Sequence, residues 1–262
     1  MTHFIKCKPI FEIVIKITLN SNFIRFKGLK GCFRINLKTI IFNMLIDFMF
    51  FISIIVFLTT RINSIMSRKI KIIECPRDAM QGIKDFIPTT KKVQYIQSLL
   101  RVGFDTIDVG SFVSPKAIPQ MSDTAEVLAQ LDLSNTTSTL LAIVANERGA
   151  EDAALHDQID YLGYPFSISE NFQMRNTHKT IAQSVLTLEG ILNIAENSNK
   201  KVVVYISMGF GNPYGDPWNM DIVGEWTERL SAMGVKILSL SDTVGTSNPD
   251  SINYLFSNLI PL

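Results

Sequence analysis

The chain has 262 residues with 25 Lys/Arg and 24 Asp/Glu, a formal net charge of +1, and it is long enough for one large domain or two small ones. The charge is unevenly distributed: residues 1–65 hold nine basic and two acidic residues, whereas residues 66–262 hold sixteen basic and twenty-two acidic residues. The acidic charge of this second part excludes nucleic acid as a partner. The three scattered cysteines, Cys7, Cys32 and Cys75, exclude a disulfide scaffold or a zinc cluster and favour a reducing, cytoplasmic location.

The first 65 residues differ in composition from the rest of the chain. They contain fifteen Ile and no Ala, and residues 39–60 form an apolar run of about membrane-spanning length, interrupted by Asp47. One interpretation is a membrane anchor, which the charge of Asp47 disfavours. Another is a targeting peptide, which the late start of the run disfavours. The favoured one is a mis-assigned start, with the working protein beginning near Met66. This predicts a hydrophobic extension, 1–65, and a body, 66–262.

From residue 70 onward, short apolar runs alternate with longer amphipathic ones. The short runs predict six strands, at residues 70–73, 106–109, 139–145, 159–163, 202–207 and 236–240. Apolar residues spaced three and four apart predict helices at residues 89–102, 124–131, 147–155, 178–197 and 221–233, with a last helix from Pro249. This alternation predicts an α/β fold with a parallel sheet. Six units fit either a doubly wound sheet or part of a (β/α)8 barrel, which needs eight strands to close.

An arginine and a carboxylate directly follow the first strand run. Arg77 and Asp78 stand behind Pro76, which is expected to stiffen a turn at this point. In an α/β barrel, the ends of the strands form the catalytic face. A carboxylate there can bind a divalent cation, and an arginine beside it can stabilise an enolate. An exposed ion pair in a loop is the alternative interpretation.

The other predicted strands also end in polar or small residues. Asp108 follows the second strand and is predicted to face Asp78, either in proton transfer or in holding water on a metal. A simple turn residue is the alternative for Asp108. Further strand-end and loop residues are Ser111, Asn146, Ser169, Phe172, Asn176, Ser207, Asp242 and Thr243. Ordinary loop chemistry explains any one of them, whereas their recurrence after six strands favours one shared site.

Several short sequence motifs carry a family resemblance. They are Pro-Arg-Asp at 76–78 with Gln81, Ser-Phe-Val-Ser-Pro-Lys at 111–116 with Pro-Gln-Met at 119–121, Asn-Pro-Tyr at 212–214 and Ser-Asp-Thr-Val-Gly at 241–245. Residues 69–262 closely resemble hydroxymethylglutaryl-CoA lyase, of the metal-dependent TIM-barrel lyase and synthase superfamily. The resemblance excludes residues 1–65. It implies an incomplete (β/α)8 TIM barrel of about six units after a non-homologous extension, and cleavage of 3-hydroxy-3-methylglutaryl-CoA to acetyl-CoA and acetoacetate.

The resemblance also implies residue roles. Asp78 would bind the divalent metal, Mg²⁺ or Mn²⁺, that chelates the acyl-CoA substrate, and Arg77 would stabilise the enolate formed when the carbon–carbon bond breaks. Asp108 is predicted as the second catalytic residue. The predicted substrate-binding residues, which combine the implied and the strand-end positions, are Gln81, Lys84, Ser111, Asn146, Ser207, Asp242 and Thr243.

Departures from the family pattern give further expectations. Aspartate stands at 108 where the family often has glutamate, and the turn before Arg77 is one residue shorter than the family's Glu-Val-Gly-Pro form. The family's His-x-His ligands, a further Asn ligand and a reactive cysteine would lie beyond Leu262. The chain as written is therefore expected to bind metal weakly and to be inactive or impaired. A condensing synthase of the isopropylmalate or homocitrate type, a membrane-tethered non-catalytic remnant and a homodimer stay open.

Overall fold

The computed structural model describes residues 18–20, 23–28, 31–36 and 70–260. The chain divides into two compact units, residues 1–70 and 71–262. The first unit contains an antiparallel sheet of three strands, β1 (Thr18–Asn20), β2 (Phe23–Gly28) and β3 (Gly31–Asn36), in that order. The sequence analysis predicted no strands in this segment.

The apolar run at residues 39–60 lies outside the described residues, so its interpretation as a membrane anchor stays a prediction. Within the described part of the chain, no helix has the length and apolar character needed to cross a bilayer.

The second unit is built on a six-stranded parallel sheet. Its strands are β4 (Ile73–Glu74), β5 (Thr106–Ser111), β6 (Thr139–Ile143), β7 (Tyr161–Ser167), β8 (Lys201–Ser207) and β9 (Ile237–Leu240). Each strand pairs in parallel with the next one in the chain. A doubly wound sheet reverses its strand order at a switch point, and this sheet does not. The order therefore confirms the α/β class and favours the barrel.

Helices connect the strands and cover one face of the sheet. They are α1 (Pro76–Gln81), α2 (Thr89–Leu100), α3 (Thr124–Ala129), α4 (Glu147–Ala154), α5 (Glu170–Thr177), α6 (Ile181–Asn197), α7 (Met220–Ala232) and α8 (Pro249–Leu259). The six predicted helices are all present, with ends shifted by a few residues. Helix α6 is the long one, and it begins with a capping box in which Thr180 and Gln183 exchange hydrogen bonds.

Three local predictions were wrong. The expected turn at Pro76 is instead the first residue of α1, because the fixed φ of proline suits the first helical position. The expected loop after β7 contains α5, which Ser169 caps by accepting a hydrogen bond from the amide of Phe172. The first strand also lies later than predicted, at Ile73–Glu74, at the edge of the sheet.

The two faces of the sheet have different surroundings. Residues such as Ile107, Leu140 and Val204 are fully buried in the main core between sheet and helices. A smaller cluster on the opposite face contains Leu141 and Ile143, with other strand residues packed against it. Successive strand residues point to opposite faces, so this smaller cluster marks the inner, concave side of a barrel-like sheet.

A register shift in β5 lies directly after Asp108. The pairing of β5 with β6 skips one residue between Asp108 and Gly110. A Cβ added at Gly110 would lie 2.5 Å from Cγ2 of Thr124, so only glycine permits α3 to approach this closely. Such bulges re-aim side chains near functional sites. Asp108 pairs in register with Leu141 of the inner cluster, which places it on the concave side.

Candidate active site

The site begins where β4 passes into α1. Cys75 follows the strand and is the residue before the first helical position, which Pro76 occupies. Residues three and four apart lie on one helical face, so Arg77, Asp78 and Gln81 are neighbours on α1. The local sequence therefore presents a guanidinium, a carboxylate and an amide together at the end of a strand.

Arg77 forms a buried ion pair with Asp108 across 31 residues of sequence. Its Nη2 donates to Asp108 Oδ2 at 2.6 Å, and its Nε donates to Oδ1 and Oδ2 at 3.2 and 3.0 Å. The Asp108 side chain is only 1% exposed. This is the bidentate arginine–carboxylate geometry, which holds the guanidinium in one orientation as well as pairing the two charges. The predicted catalytic pair is thus in direct contact.

The remaining donors of Arg77 organise its own helix. Its Nη1 donates to Asp78 Oδ1 at 3.0 Å and to Gln81 Oε1 at 2.9 Å. Gln81 Nε2 donates to the same Asp78 oxygen at 2.9 Å. A guanidinium has five N–H donors, and these contacts use four of them. The fifth, on Nη2, has no partner within the described residues and is available to a ligand.

Burial controls the protonation of this cluster. It raises the pKa of Asp108 from 3.8 to about 6, against the opposing hydrogen bond from Arg77. Burial lowers the pKa of Arg77, but the hydrogen bond and charge of Asp108 outweigh this effect and keep the guanidinium charged. Burial and then the Asp108 charge raise the pKa of Cys75 to about 11 and also raise that of Tyr205. Cys75 is therefore a neutral thiol and not a poised nucleophile.

The raised pKa of Asp108 predicts a pH effect on stability. The folded state binds a proton at Asp108 more tightly than the unfolded state does, so this residue's stabilising contribution is full below pH 4 and is lost as the pH rises through about 6. Each pKa unit by which the folded and unfolded states differ corresponds to about 1.4 kcal/mol of unfolding free energy. Denaturant unfolding from pH 4 to 7, followed by tryptophan fluorescence, is expected to show this loss in the unaltered chain and not in Asp108→Asn. If the unfolding free energy depended on pH equally in the two proteins, the raised pKa would not belong to Asp108.

A cavity of about 520 Å³ opens beside the ion pair at the carboxyl ends of the strands. The predicted residues that line it are Arg77, Asp78, Gln81, Asp108, Ser207, Asp242 and Thr243. Three other predicted residues, Lys84, Ser111 and Asn146, do not line it. The structure thus brings together seven of the ten residues with predicted catalytic, metal or substrate roles, as the convergence of parallel strand ends requires. Two of the further loop residues, Phe172 and Asn176, also line the cavity.

The three residues outside the cavity have other surroundings. The Asn146 Oδ1 accepts from the Gly149 amide at 2.8 Å and caps α4. Ser111 is buried, and its hydroxyl accepts from the Val113 amide at 3.1 Å. Lys84 is exposed in the connection between α1 and α2. Their substrate roles stay predictions.

Asp242 and Thr243 shape the loops above the cavity. Asp242 accepts hydrogen bonds from the amides of Thr246 and Ser247 at 2.8 and 3.1 Å. The Ser247 side chain contributes most to the lowered pKa of Asp242, and these two amides lower it further. The Thr243 hydroxyl accepts from the Met208 amide at 2.8 Å. Met208 has a positive φ of 61°, which is unfavourable for a side chain of this kind. Thr243 therefore stabilises a strained turn at the end of β8.

The sequence analysis missed several cavity residues. Tyr205, Ile143 and Pro165 line the cavity from inside the strands, and Thr177 lines it from the last turn of α5. Tyr205 is two residues before Ser207, so strand alternation puts both on the concave face. That alternation was the available signal.

The donor set for a divalent cation is only partly present. Asp78 is 65% exposed and faces the cavity, whereas both oxygens of Asp108 are occupied by Arg77. Across residues 70–260 and the described strands before them, no group of three or more His, Cys, Asp or Glu side chains could hold a metal ion. Mg²⁺ and Mn²⁺ prefer several oxygen ligands. Among the described residues Asp78 and Asp242 bring carboxylates to the cavity that Arg77 does not fully occupy, and they do not complete a site.

Comparison with known proteins gives a consistent result. The HMGL-like family model matches residues 69–261. The hydroxymethylglutaryl-CoA lyase YngG of Bacillus subtilis is 33% identical over 185 residues, which cover 71% of this chain and 61% of that protein. The chain thus spans about three-fifths of the length of this relative.

Solved structures give the same match. The crystal structure of the HMG-CoA lyase of Bacillus subtilis aligns with a TM-score of 0.69 and 33% identity, covering 74% of this chain and 65% of that one. An HMG-CoA lyase of Acinetobacter baumannii in complex with coenzyme A and 3-methylmalate aligns with a TM-score of 0.68 and 28% identity, covering 73% and 62%. These likenesses confirm the TIM-barrel class and the family resemblance found in the sequence.

Proposed function

The chain belongs to the HMGL-like family, and on that premise we propose that it is a carbon–carbon lyase that cleaves 3-hydroxy-3-methylglutaryl-CoA to acetyl-CoA and acetoacetate. The observation that carries the proposal is the buried Arg77–Asp108 pair at the floor of a cavity at the strand ends. Breaking the carbon–carbon bond places negative charge on the thioester oxygen of the departing acetyl-CoA. A fixed cation at that position stabilises this charge more than it stabilises the neutral ground state.

Arg77 is suited to this role by its remaining donor. Asp108, Asp78 and Gln81 hold the guanidinium in one orientation, and one N–H on Nη2 remains for the enolate oxygen. Because these contacts exist before ligand binds, little reorganisation is needed during the reaction. Tyr205 and Ile143 provide a partly apolar wall beside the pair, which limits the access of water to the developing charge.

The charge of the cavity supports a metal requirement. Asp78, Asp108 and Asp242 line it against one guanidinium, that of Arg77. An acyl-CoA with a free carboxylate is itself anionic, so a divalent cation would relieve the repulsion between site and substrate. We propose Asp78 as one ligand of Mg²⁺ or Mn²⁺, which when bound would polarise substrate oxygens. The other ligands are not among the described residues, so weak metal binding by the 262-residue chain stays a prediction.

The metal proposal predicts the effect of removing one carboxylate. Asp78→Asn is expected to weaken Mn²⁺ binding about tenfold, because a charged ligand oxygen is replaced by a neutral amide. Electron paramagnetic resonance of free Mn²⁺ measures this change. Asp152→Asn, at an exposed position of α4, is the matched control and is expected to leave Mn²⁺ binding unchanged. Equal affinities in the unaltered chain and Asp78→Asn would remove Asp78 from the metal site.

The proposed function is tested with the acyl-CoA itself. Calorimetry is expected to detect binding of 3-hydroxy-3-methylglutaryl-CoA in the presence of Mg²⁺, and product analysis is expected to detect slow formation of acetoacetate. A normal lyase rate would contradict the predicted impairment but not the function. Condensation of acetyl-CoA with a 2-oxo acid would favour the synthase alternative. No binding of any acyl-CoA would refute both enzymatic assignments. A cytoplasmic location and a homodimer remain part of the proposal.

A further inference from the structure

A buried lysine in α2 has no part in the proposed chemistry. Lys92, in α2, is 2% exposed. Its ammonium donates to Asp123 Oδ1 at 2.6 Å and to the backbone carbonyl of Gln120. It also lies 4.2 Å from the centre of the Phe86 ring. A buried ammonium requires such partners in place of water, so this contact fixes the backbone of Gln120.

The side chain of Gln120 binds a second segment of backbone. Gln120 is buried in the single 3₁₀ turn Pro119–Met121, in the loop after β5. Its Oε1 accepts from the Ile87 amide at 2.8 Å. Its Nε2 donates to the carbonyls of Ile83 and Asp85 at 3.0 and 2.9 Å. One side chain thus satisfies three backbone groups, and we call these three hydrogen bonds the Gln120 tether.

The tethered segment, residues 82–88, has little packing of its own. It connects α1 to α2, and of its three large apolar side chains Ile83 and Phe86 are 48% and 51% exposed and Ile87 is partly buried. None of the three belongs to the hydrophobic clusters of the described residues. Because apolar contacts hold the segment only weakly, its conformation depends on hydrogen bonds. The tether supplies three of them from a fixed point.

We infer that Gln120 is a positioning residue of the proposed lyase site, which holds residues 82–88 so that Lys84 and the end of α1 face the acyl-CoA. This inference rests on the proposed function. Lys84 lies between Ile83 and Asp85, whose carbonyls both accept from Gln120. Helix α1, which carries Arg77, ends one residue before the segment.

The tether therefore acts on two cations at once. Loss of the Gln120 side chain would free the backbone on both sides of Lys84 and would release the carboxyl end of the helix that holds Arg77. Arg77 lines the cavity, and Lys84, which is exposed in the tethered segment, is proposed to reach the same anionic ligand from outside it, so disorder of either cation would weaken ligand binding. The core of the unit does not include residues 82–88, so the effect on global stability is expected to be small.

The first measurement compares Gln120→Ala with Gln130→Ala in the full 262-residue chain. Gln130 is an exposed glutamine after α3 whose Nε2 donates to the Glu126 carbonyl, and it is the matched control. Trypsin cleaves after Lys84, and the peptide that ends there reports how often the segment opens. We expect Gln120→Ala to raise the rate of this cleavage about tenfold, because the three hydrogen bonds are lost. Gln130→Ala is expected to leave the rate unchanged.

The second measurement asks whether the tether acts on the ligand through Lys84. The Kd of 3-hydroxy-3-methylglutaryl-CoA is expected to rise about fivefold in Gln120→Ala and in Lys84→Ala. In the double variant the loss of binding free energy is expected to be smaller than the sum of the two single losses. Gln120→Glu keeps the acceptor for Ile87 and loses both donors. The second carboxylate oxygen would then face the carbonyls of Ile83 and Asp85 without a hydrogen, so the Kd of this variant is expected to be at least as high as that of Gln120→Ala.

The outcomes separate the inference from the proposed function. Unchanged cleavage after Lys84 in Gln120→Ala overturns the tether. The positioning role is overturned if cleavage is faster while the Kd is unchanged. It is also overturned if the losses of binding free energy in the two single variants add fully in the double variant. If the unaltered chain binds no acyl-CoA, the proposed function is wrong and the positioning role falls with it. The tryptic rate would then still decide whether Gln120 holds residues 82–88.

Discussion

Arg77→Ala is expected to abolish measurable turnover and to destabilise the second unit by about 3 kcal/mol at pH 8. The Asp108 carboxylate is 1% exposed, and it would lose the bidentate hydrogen bonds from Arg77 and remain buried as an unpaired charge. The loss of the cation that faces the enolate is expected to lower kcat/KM by about a thousandfold or more. Both Trp residues, Trp218 and Trp226, lie in the second unit, so their fluorescence reports its unfolding directly.

Two further variants separate stability from chemistry in this experiment. Arg77→Ala/Asp108→Asn removes the buried charge and is expected to regain part of the stability but none of the activity. Arg148→Ala removes an arginine that is 89% exposed and 4.0 Å from Asp152, and it is expected to change the unfolding free energy by less than about 0.5 kcal/mol. The destabilisation by Arg77→Ala is expected to shrink at pH 5, because Asp108 then takes up a proton. A loss of stability that is equal at pH 5 and pH 8 would contradict the ion-pair explanation.

Lys92→Met is expected to cause the largest loss of stability, about 3–5 kcal/mol. Its ammonium is the buried partner of Asp123, and after substitution that carboxylate would keep only the hydroxyl of Thr89, which donates to Oδ2 at 2.8 Å. The carbonyl of Gln120 would also lose its donor. For a unit of this size the melting temperature is expected to fall by about 10 °C, measured by tryptophan fluorescence.

The neighbouring residue provides the control for this prediction. Lys91→Met changes an exposed lysine on the same helix and is expected to leave the melting temperature nearly unchanged. Lys92→Met/Asp123→Asn removes the unpaired buried charge and is expected to be more stable than Lys92→Met alone. If the double variant were the less stable of the two, the loss in Lys92→Met would have to come from packing of the lysine stem.

The two buried pairs have related positions in the fold. Arg77–Asp108 joins α1 to β5, and Lys92–Asp123 joins α2 to the residue before α3. Each pair crosses about thirty residues of sequence and connects one strand–helix unit to the next. Arg77 and Asp108 line the cavity, whereas Lys92 and Asp123 do not. A change at the first pair is therefore expected to affect the site directly, and a change at the second to act on it through the loop after β5, which supplies Val113 and Ile118 to the lining.

The sequence by itself determined the order of elements and the main chemistry of this protein. The apolar periodicity of residues 70–260 is a local signal, so it predicted the parallel α/β sheet and six of the eight helices. The phrases around Arg77 and Ser111 were specific enough to predict the family. The polar strand ends predicted six cavity residues, because parallel strands deliver their ends to one face, and the family resemblance added Gln81.

Only the tertiary structure decided which of these residues meet. The contact of Arg77 with Asp108 depends on the pairing of β4 with β5 and on the bulge after Asp108, neither of which is encoded in a short window. The same limit applies to Gln120 and Lys92, whose partners lie about thirty residues away. Spacing within a segment sets its local conformation, whereas contacts between segments depend on sheet register and on the burial of charge. For that reason the tether at Gln120 could be read only from the folded chain, whereas the helix that begins at Pro76 had a local signal, a proline at its first position.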